Sequence, residues 1–76
     1  MVIAGLINID KDVMSGTPVF MGTRVPITSL FEHLEDEISI HDFLTDFPTV
    51  SKEQVVGVLH LASQTFRLNA SIKTFL

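Results

Sequence analysis

Residues 39–66 read SIHDFLTDFPTVSKEQVVGVLHLASQTF, and this stretch decides the fold. Ser39 three residues before Asp42 is a helix-capping pattern, and Ile40, Phe43, Leu44 and Phe47 then fall on one helical face until Pro48 stops the run. Ser51-Lys52-Glu53-Gln54 is a second start signal, in which a serine hydroxyl and a glutamine amide can satisfy each other's free backbone N–H groups. Val55, Val58, Leu59, Ala62 and Phe66 follow as an apolar stripe over about four turns. The spacing predicts helices over 39–46 and 51–67, joined by Phe47-Pro48-Thr49-Val50. Those lengths and that separation are those of a helix-turn-helix unit.

Upstream, Ile27, Leu30, Phe31, Leu34 and Ile38 recur every three or four residues, which predicts a first helix over about 28–36. Ser29 and Glu32 offer it a capping box behind Pro26. Before Val25 the period is different. Two short apolar runs, Val2–Ile9 and Pro18–Met21, are each followed by turn residues, so the N-terminal third reads as strands and turns. The expected class is therefore mainly α in one domain: short N-terminal strands and turns over 1–26, then a three-helix bundle with a helix-turn-helix unit over 27–67. Residues 68–76 form a tail that the pattern does not assign. Ile72, Phe75 and Leu76 within it close the core or a dimer seam, fray, or become ordered on a protein partner.

A chain of 76 residues, 46% of them hydrophobic, has too little interior to hide its apolar groups, so a self-association surface is expected. With no cysteine, disulfides and thiolate metal sites are excluded. No apolar run approaches the ~20 residues a membrane helix needs. The apolar start lacks a basic flank and runs into Asn8, Asp10, Lys11 and Asp12, so it does not read as a signal peptide, and a cytoplasmic address with no membrane partner is expected. The net charge of −4 disfavours polyanions at long range. Glu32, Glu35, Asp36, Glu37, Asp42 and Asp46 lie between positions 31 and 50 with no Lys or Arg among them. That block faces solvent or a basic partner.

Catalysis finds little support in the residues. His33, His41 and His60 are spread over three predicted helices and read as helix-face histidines, without metal-binding spacing. Asp42 and Asp46, four apart, read as a solvated pair, and no serine sits in a nucleophile elbow. No metal and no cofactor are expected. Phe20, Phe31, Phe43, Phe47 and Phe66 occur at core periodicity, while Phe75 is left open. If the last helix entered a DNA major groove, Lys52 would meet a phosphate, Gln54 an adenine edge and Thr49 the backbone, with Glu53 unfavourable between them. Arg24, the only basic residue between Lys11 and Lys52, is expected to organise the strand-to-helix corner by holding a turn carbonyl, Asp10 or Glu32, or else to bind phosphate or a partner. Gly16 and Gly22 are assigned to backbone geometry, because the stretch between them lacks the lysine of a phosphate-binding loop.

The run Gly16-Thr17-Pro18-Val19-Phe20-Met21-Gly22-Thr23-Arg24-Val25-Pro26-Ile27 resembles the GxPxxxGTRxPV stretch of the DUF433 family. The likeness continues through Ser39, Phe47-Pro48 and Ser51 into the last helix and covers about positions 7–63. It places Gly16, Pro18, Gly22, Thr23, Arg24 and Pro26 in the family motif, with a structural or partner-binding role. The resemblance implies a homeodomain-like helix-turn-helix fold behind a small strand region, and dimers. It also implies antitoxin function, since some members are encoded beside PIN-like ribonuclease toxins, with one surface for the toxin and another for operator DNA. The chain departs from the family at Glu37, where members commonly carry glycine before the second helix. There the helix-ending left-handed turn is less favourable, so an altered connection or a longer first helix is expected. The resulting expectation is an antitoxin-like module that binds a PIN-like toxin and possesses an optional duplex-DNA function. The alternatives are a stand-alone transcriptional regulator and a structural homodimer without nucleic-acid binding.

Overall fold

The computed structural model describes the backbone of residues 1–74 and the side chains of residues 1–67. Its elements run β1 (Val2–Ile3), β2 (Ile7–Asn8), β3 (Val19–Phe20), α1 (Ile27–Glu35), α2 (Ile40–Asp46) and α3 (Lys52–Thr74). The strands form one antiparallel sheet in the order β1-β2-β3, with Ile3 opposite Ile7 and Ile7 opposite Phe20. The protein is thus mainly α with a small β part, as the periodicities predict.

The first apolar run is not one strand but a hairpin. Ala4 and Gly5 both take positive φ (53° and 66°), and the Leu6 N–H closes the turn on the Ile3 carbonyl at 2.9 Å. Both central φ values being positive matches the twist of a tight hairpin. An Ala-Gly pair carries this signal far more weakly than Asn-Gly, which is why periodicity alone reads a single run.

The two later helix starts follow their sequence signals. The Ser39 hydroxyl accepts the Asp42 N–H at 3.1 Å. At α3 the box is reciprocal: the Ser51 hydroxyl accepts the Gln54 N–H at 3.1 Å, and Gln54 Oε1 accepts the Ser51 N–H at 2.9 Å. The box expected at Ser29 is not formed. Pro26 caps α1 without any side-chain hydrogen bond, the helix begins at Ile27, and the Ser29 N–H already donates to the Pro26 carbonyl at 3.1 Å. Pro26 has no N–H to satisfy and holds φ at −62°, so the helix can begin directly behind it without a hydroxyl cap.

At its other end α1 stops where a glycine would stop it, although the residue is glutamate. Glu37 takes φ 62°, its N–H donates to the Leu34 carbonyl at 3.0 Å, and the Ile38 N–H reaches the His33 carbonyl at 2.9 Å. These paired bonds are a Schellman closure. The first helix is therefore not lengthened: the left-handed closure forms at a glutamate, and Glu37 bears the strain. The third helix, in turn, exceeds the expected 51–67, its backbone remaining helical through Thr74.

The core joins every layer: Phe20 from β3, Leu30 from α1, Phe43 from α2, Val50 from the connecting turn, and Val55 and Val58 from α3. Phe20 and Phe43 meet at a centroid distance of 6.1 Å, and Phe43 continues to Phe47 at 4.9 Å. Full burial of each large side chain is worth about 2–3 kcal/mol. His33 belongs to this packing rather than to an open helix face. Its ring lies edge-on to Phe43 (5.2 Å) and Phe47 (5.5 Å), and Nδ1 donates to the Ser29 carbonyl at 2.7 Å, since a carbonyl can only accept. Phe66 departs from the expected core in the other direction and is 71% exposed. Its ring lines a shallow surface groove with Phe31 of α1 and Leu59 and Ala62 of α3 instead of entering the core. Among the described residues no helix is long and apolar enough to cross a membrane.

Candidate functional site

The family-like motif turns the chain from β3 into α1, and its residues divide by task. Thr23 N–H donates to the Phe20 carbonyl at 3.0 Å, closing a turn whose third residue, Gly22, has φ 76°. That is the type II geometry glycine serves. The Thr23 hydroxyl donates to the same Phe20 carbonyl at 2.8 Å and accepts the Val25 N–H at 3.1 Å, locking the corner from inside. The Pro18 carbonyl accepts the Ile27 N–H at 3.0 Å, Pro26 starts α1, and Gly16 (φ 86°) completes a left-handed run with Met14 and Ser15.

Arg24 alone among the motif residues points its functional group out of this scaffold. It pairs with neither Asp10 nor Glu32. Its guanidinium Nη2 rests 3.6 Å from the Met14 sulfur and has no carboxylate partner among the described residues. The left-handed turn at Met14 and Ser15 (φ 51° and 56°) is what carries that thioether to the arginine. Asp10 is occupied locally, its carboxylate accepting the Asp12 N–H at 2.9 Å.

Beside Arg24 lies an open groove of about 610 Å³. Its walls are Asn8, Val13, the 22–26 corner, Phe47 and Thr49, so it joins the motif to the turn between α2 and α3. Sequence reasoning grouped Gly22, Thr23, Arg24 and Pro26 in one motif and singled out Thr49 apart from them. It gave no reason to join Thr49 to that motif, nor to add Asn8, Val13 and Phe47.

The three residues proposed for DNA are not gathered. Thr49 lines the Arg24 groove, whereas Lys52 lies on a separate patch of α3 with Glu53, Val56 and His60. Gln54 is committed inside the fold: besides its capping bonds, Nε2 donates to the Met21 carbonyl at 2.8 Å, tying α3 to the end of β3. An amide so engaged has no free edge for a base. Among the described residues no three His, Asp or Glu side chains converge as a metal site would require.

A second surface is apolar. Ile3, Ile7, Ile27, Phe31, Val58, Leu61 and Ala62 line one shallow groove. Phe31 and Ala62 continue it into another with Leu59, Phe66 and Arg67. This face shares no lining residue with the Arg24 groove. Ile72, Phe75 and Leu76, expected to bind a partner, lie outside the residues whose side chains are described.

Gly57 was overlooked in the sequence, although a glycine inside an otherwise periodic helix is a signal of close approach. A Cβ there would stand 2.8 Å from a methyl of Leu6, so the Leu6 side chain of the hairpin packs directly against the α3 backbone.

No curated protein and no solved structure matches the chain. The model of the family described as "Protein of unknown function (DUF433)" matches residues 7–62, from β2 to the third turn of α3 and across the whole motif corner. The chain belongs to the DUF433 family.

Proposed function

We propose that this protein is an antitoxin-like, non-catalytic binding module that pairs with a second copy of itself and neutralises a PIN-like ribonuclease. The observation that carries this reading is the apolar face running from Ile3 and Ile27 over Phe31 to Leu59, Ala62 and Phe66. An exposed phenylalanine beside a groove on the same face suits an isologous pair, in which each copy's Phe66 enters the other's groove. The pairing also gives the outer turns of α3 a surface to rest on, which an isolated helix end needs. The ribonuclease partner is supported by the family resemblance, and the Arg24 groove stays open for it when the apolar face is covered.

A duplex-DNA role has less to stand on. Lys52 shares its patch with Glu53, Gln54 is held by Met21, and the net charge is −4. Two tests decide. In light scattering the protein is a dimer, and Phe66→Glu makes it a folded monomer; an unchanged mass in that variant refutes the pairing. Co-expression with the product of the adjacent reading frame yields a complex in which ribonuclease activity is suppressed. A neighbouring ribonuclease that stays active in the protein's presence refutes the antitoxin reading.

A further inference from the structure

We infer that the Arg24 groove is a docking site for an extended protein segment that carries a carboxylate side chain between apolar residues. The argument begins with charge. The chain has nine acidic residues, yet among the described residues the only side chain that Arg24 donates to is a thioether. A guanidinium makes its strongest interaction as a two-pronged pair with a carboxylate or phosphate, and contact with sulfur leaves that capacity unused. The Met14 thioether is brought to the arginine by a turn with left-handed backbone at two residues that carry side chains. That geometry costs about 1–2 kcal/mol at each.

A second source of positive potential adjoins the same walls. Pro26 lines the groove and is the first residue of the α1 entry, and α1 has neither a side-chain cap nor an acidic residue in its first turn. The first turn thus carries no negative side chain to offset the positive end of the dipole, although the Pro18 carbonyl takes the Ile27 N–H. The occupant is anionic where it meets this corner.

The remaining walls choose between anions. Val13, Val25 and Phe47 offer apolar surface, while Asn8 and Thr49 supply an amide and a hydroxyl suited to a peptide backbone. A nucleic-acid strand needs several cations along its track, and Arg24 is the single basic residue among these walls. One carboxylate flanked by apolar side chains matches one arginine flanked by valine and phenylalanine. At about 610 Å³ the groove falls within the usual range for binding sites of ~300–1,000 Å³. The inference goes beyond the ribonuclease reading and survives its failure, because it concerns the chemistry of the ligand and is measured with peptides alone.

The test uses the full chain labelled with ¹⁵N and three capped pentapeptides, Ala-Leu-Glu-Leu-Ala and its Gln and Lys counterparts. The glutamate peptide is expected to shift the amide signals of Gly22, Thr23, Arg24 and Thr49, and to bind about tenfold more tightly than the glutamine peptide, the ratio that a charge-assisted bond of ~1.4 kcal/mol produces. Arg24→Gln removes the preference while the melting temperature stays the same, and Arg24→Lys restores part of it. Equal binding of the glutamate and glutamine peptides overturns the inference. So do shifts confined to the Phe31–Phe66 face, and so does the lack of any shift at about 5 mM peptide, the scale of the weakest useful affinities. Perturbation of Arg24 by a DNA duplex at physiological salt, with none from the glutamate peptide, overturns it in favour of phosphate.

Discussion

Replacing Glu37 by glycine should stabilise the protein, and the structure separates the gain into two parts. The first is conformational. Glu37 sits at φ 62° in the Schellman closure of α1, where a side chain costs about 1–2 kcal/mol relative to right-handed backbone. Glycine removes that strain but loses about 0.5–1 kcal/mol more backbone entropy on folding, which leaves a net gain of roughly 0.5–1 kcal/mol. The second part is electrostatic. The carboxylate follows Glu35 and Asp36 at the negative end of the helix, where a negative charge is unfavourable by about 0.3–0.5 kcal/mol. Glu37→Ala relieves only this second part; Glu37→Gly relieves both. Urea unfolding followed by circular dichroism should rank the variants glycine, alanine, wild type. The glycine variant should gain about 1 kcal/mol, which for a domain of this size raises the melting temperature by roughly 4–8 °C. If glycine gains no more than alanine, the left-handed geometry is not where the strain resides, and the account of the α1–α2 connection is wrong.

The other predictions concern packing and capping. Gly57→Ala improves helix propensity by about 1 kcal/mol but drives a methyl into Leu6 at 2.8 Å, an overpacking that costs about 1–3 kcal/mol. Thermal unfolding should show net destabilisation, and pairing the change with Leu6→Ala should lessen the further loss relative to Leu6→Ala alone; full additivity would deny the contact. Gln54→Ala removes the glutamine half of the cap and the tie to the Met21 carbonyl, leaves the Ser51 hydroxyl on the residue-54 N–H, and should lower stability by about 1–2 kcal/mol. A Gln54→Ala protein as stable as the parent would return that amide to the pool of groups free to bind a ligand.

What the sequence made legible was everything governed by helical period and local capping. The stripes through Leu30, Phe43, Val55 and Val58 do form the core, and Ser39 and Ser51 do start their helices. The misreadings arise where tertiary surroundings, rather than local pattern, decide. Phe66 has the right period for the core, yet period cannot say that its position opens onto a surface groove beside Phe31. Ser29 has the right neighbours for a cap, but Pro26 had already begun the helix. Gln54 was open to assignment as a base reader because its bond to Met21 spans 33 positions in sequence. His33 resembled a surface residue because its partners Phe43 and Phe47 belong to the next helix and the turn after it.

The candidate site was legible residue by residue but not as a place. Gly22, Thr23 and Pro26 answer to backbone requirements: a positive φ, a hydroxyl between two turn amides, a helix start. Such requirements suffice to explain why a corner reads Gly-Thr-x-x-Pro, and they explain it without any ligand. They do not reach Arg24, whose guanidinium satisfies no carbonyl and no carboxylate of its own chain among the described residues. An arginine with no duty in the corner that presents it, flanked by valine and phenylalanine walls contributed by two other segments, is the feature of the motif that folding does not account for. The corner builds the site, and the groove that Val13, Phe47 and Thr49 close around Arg24 gives it chemical character.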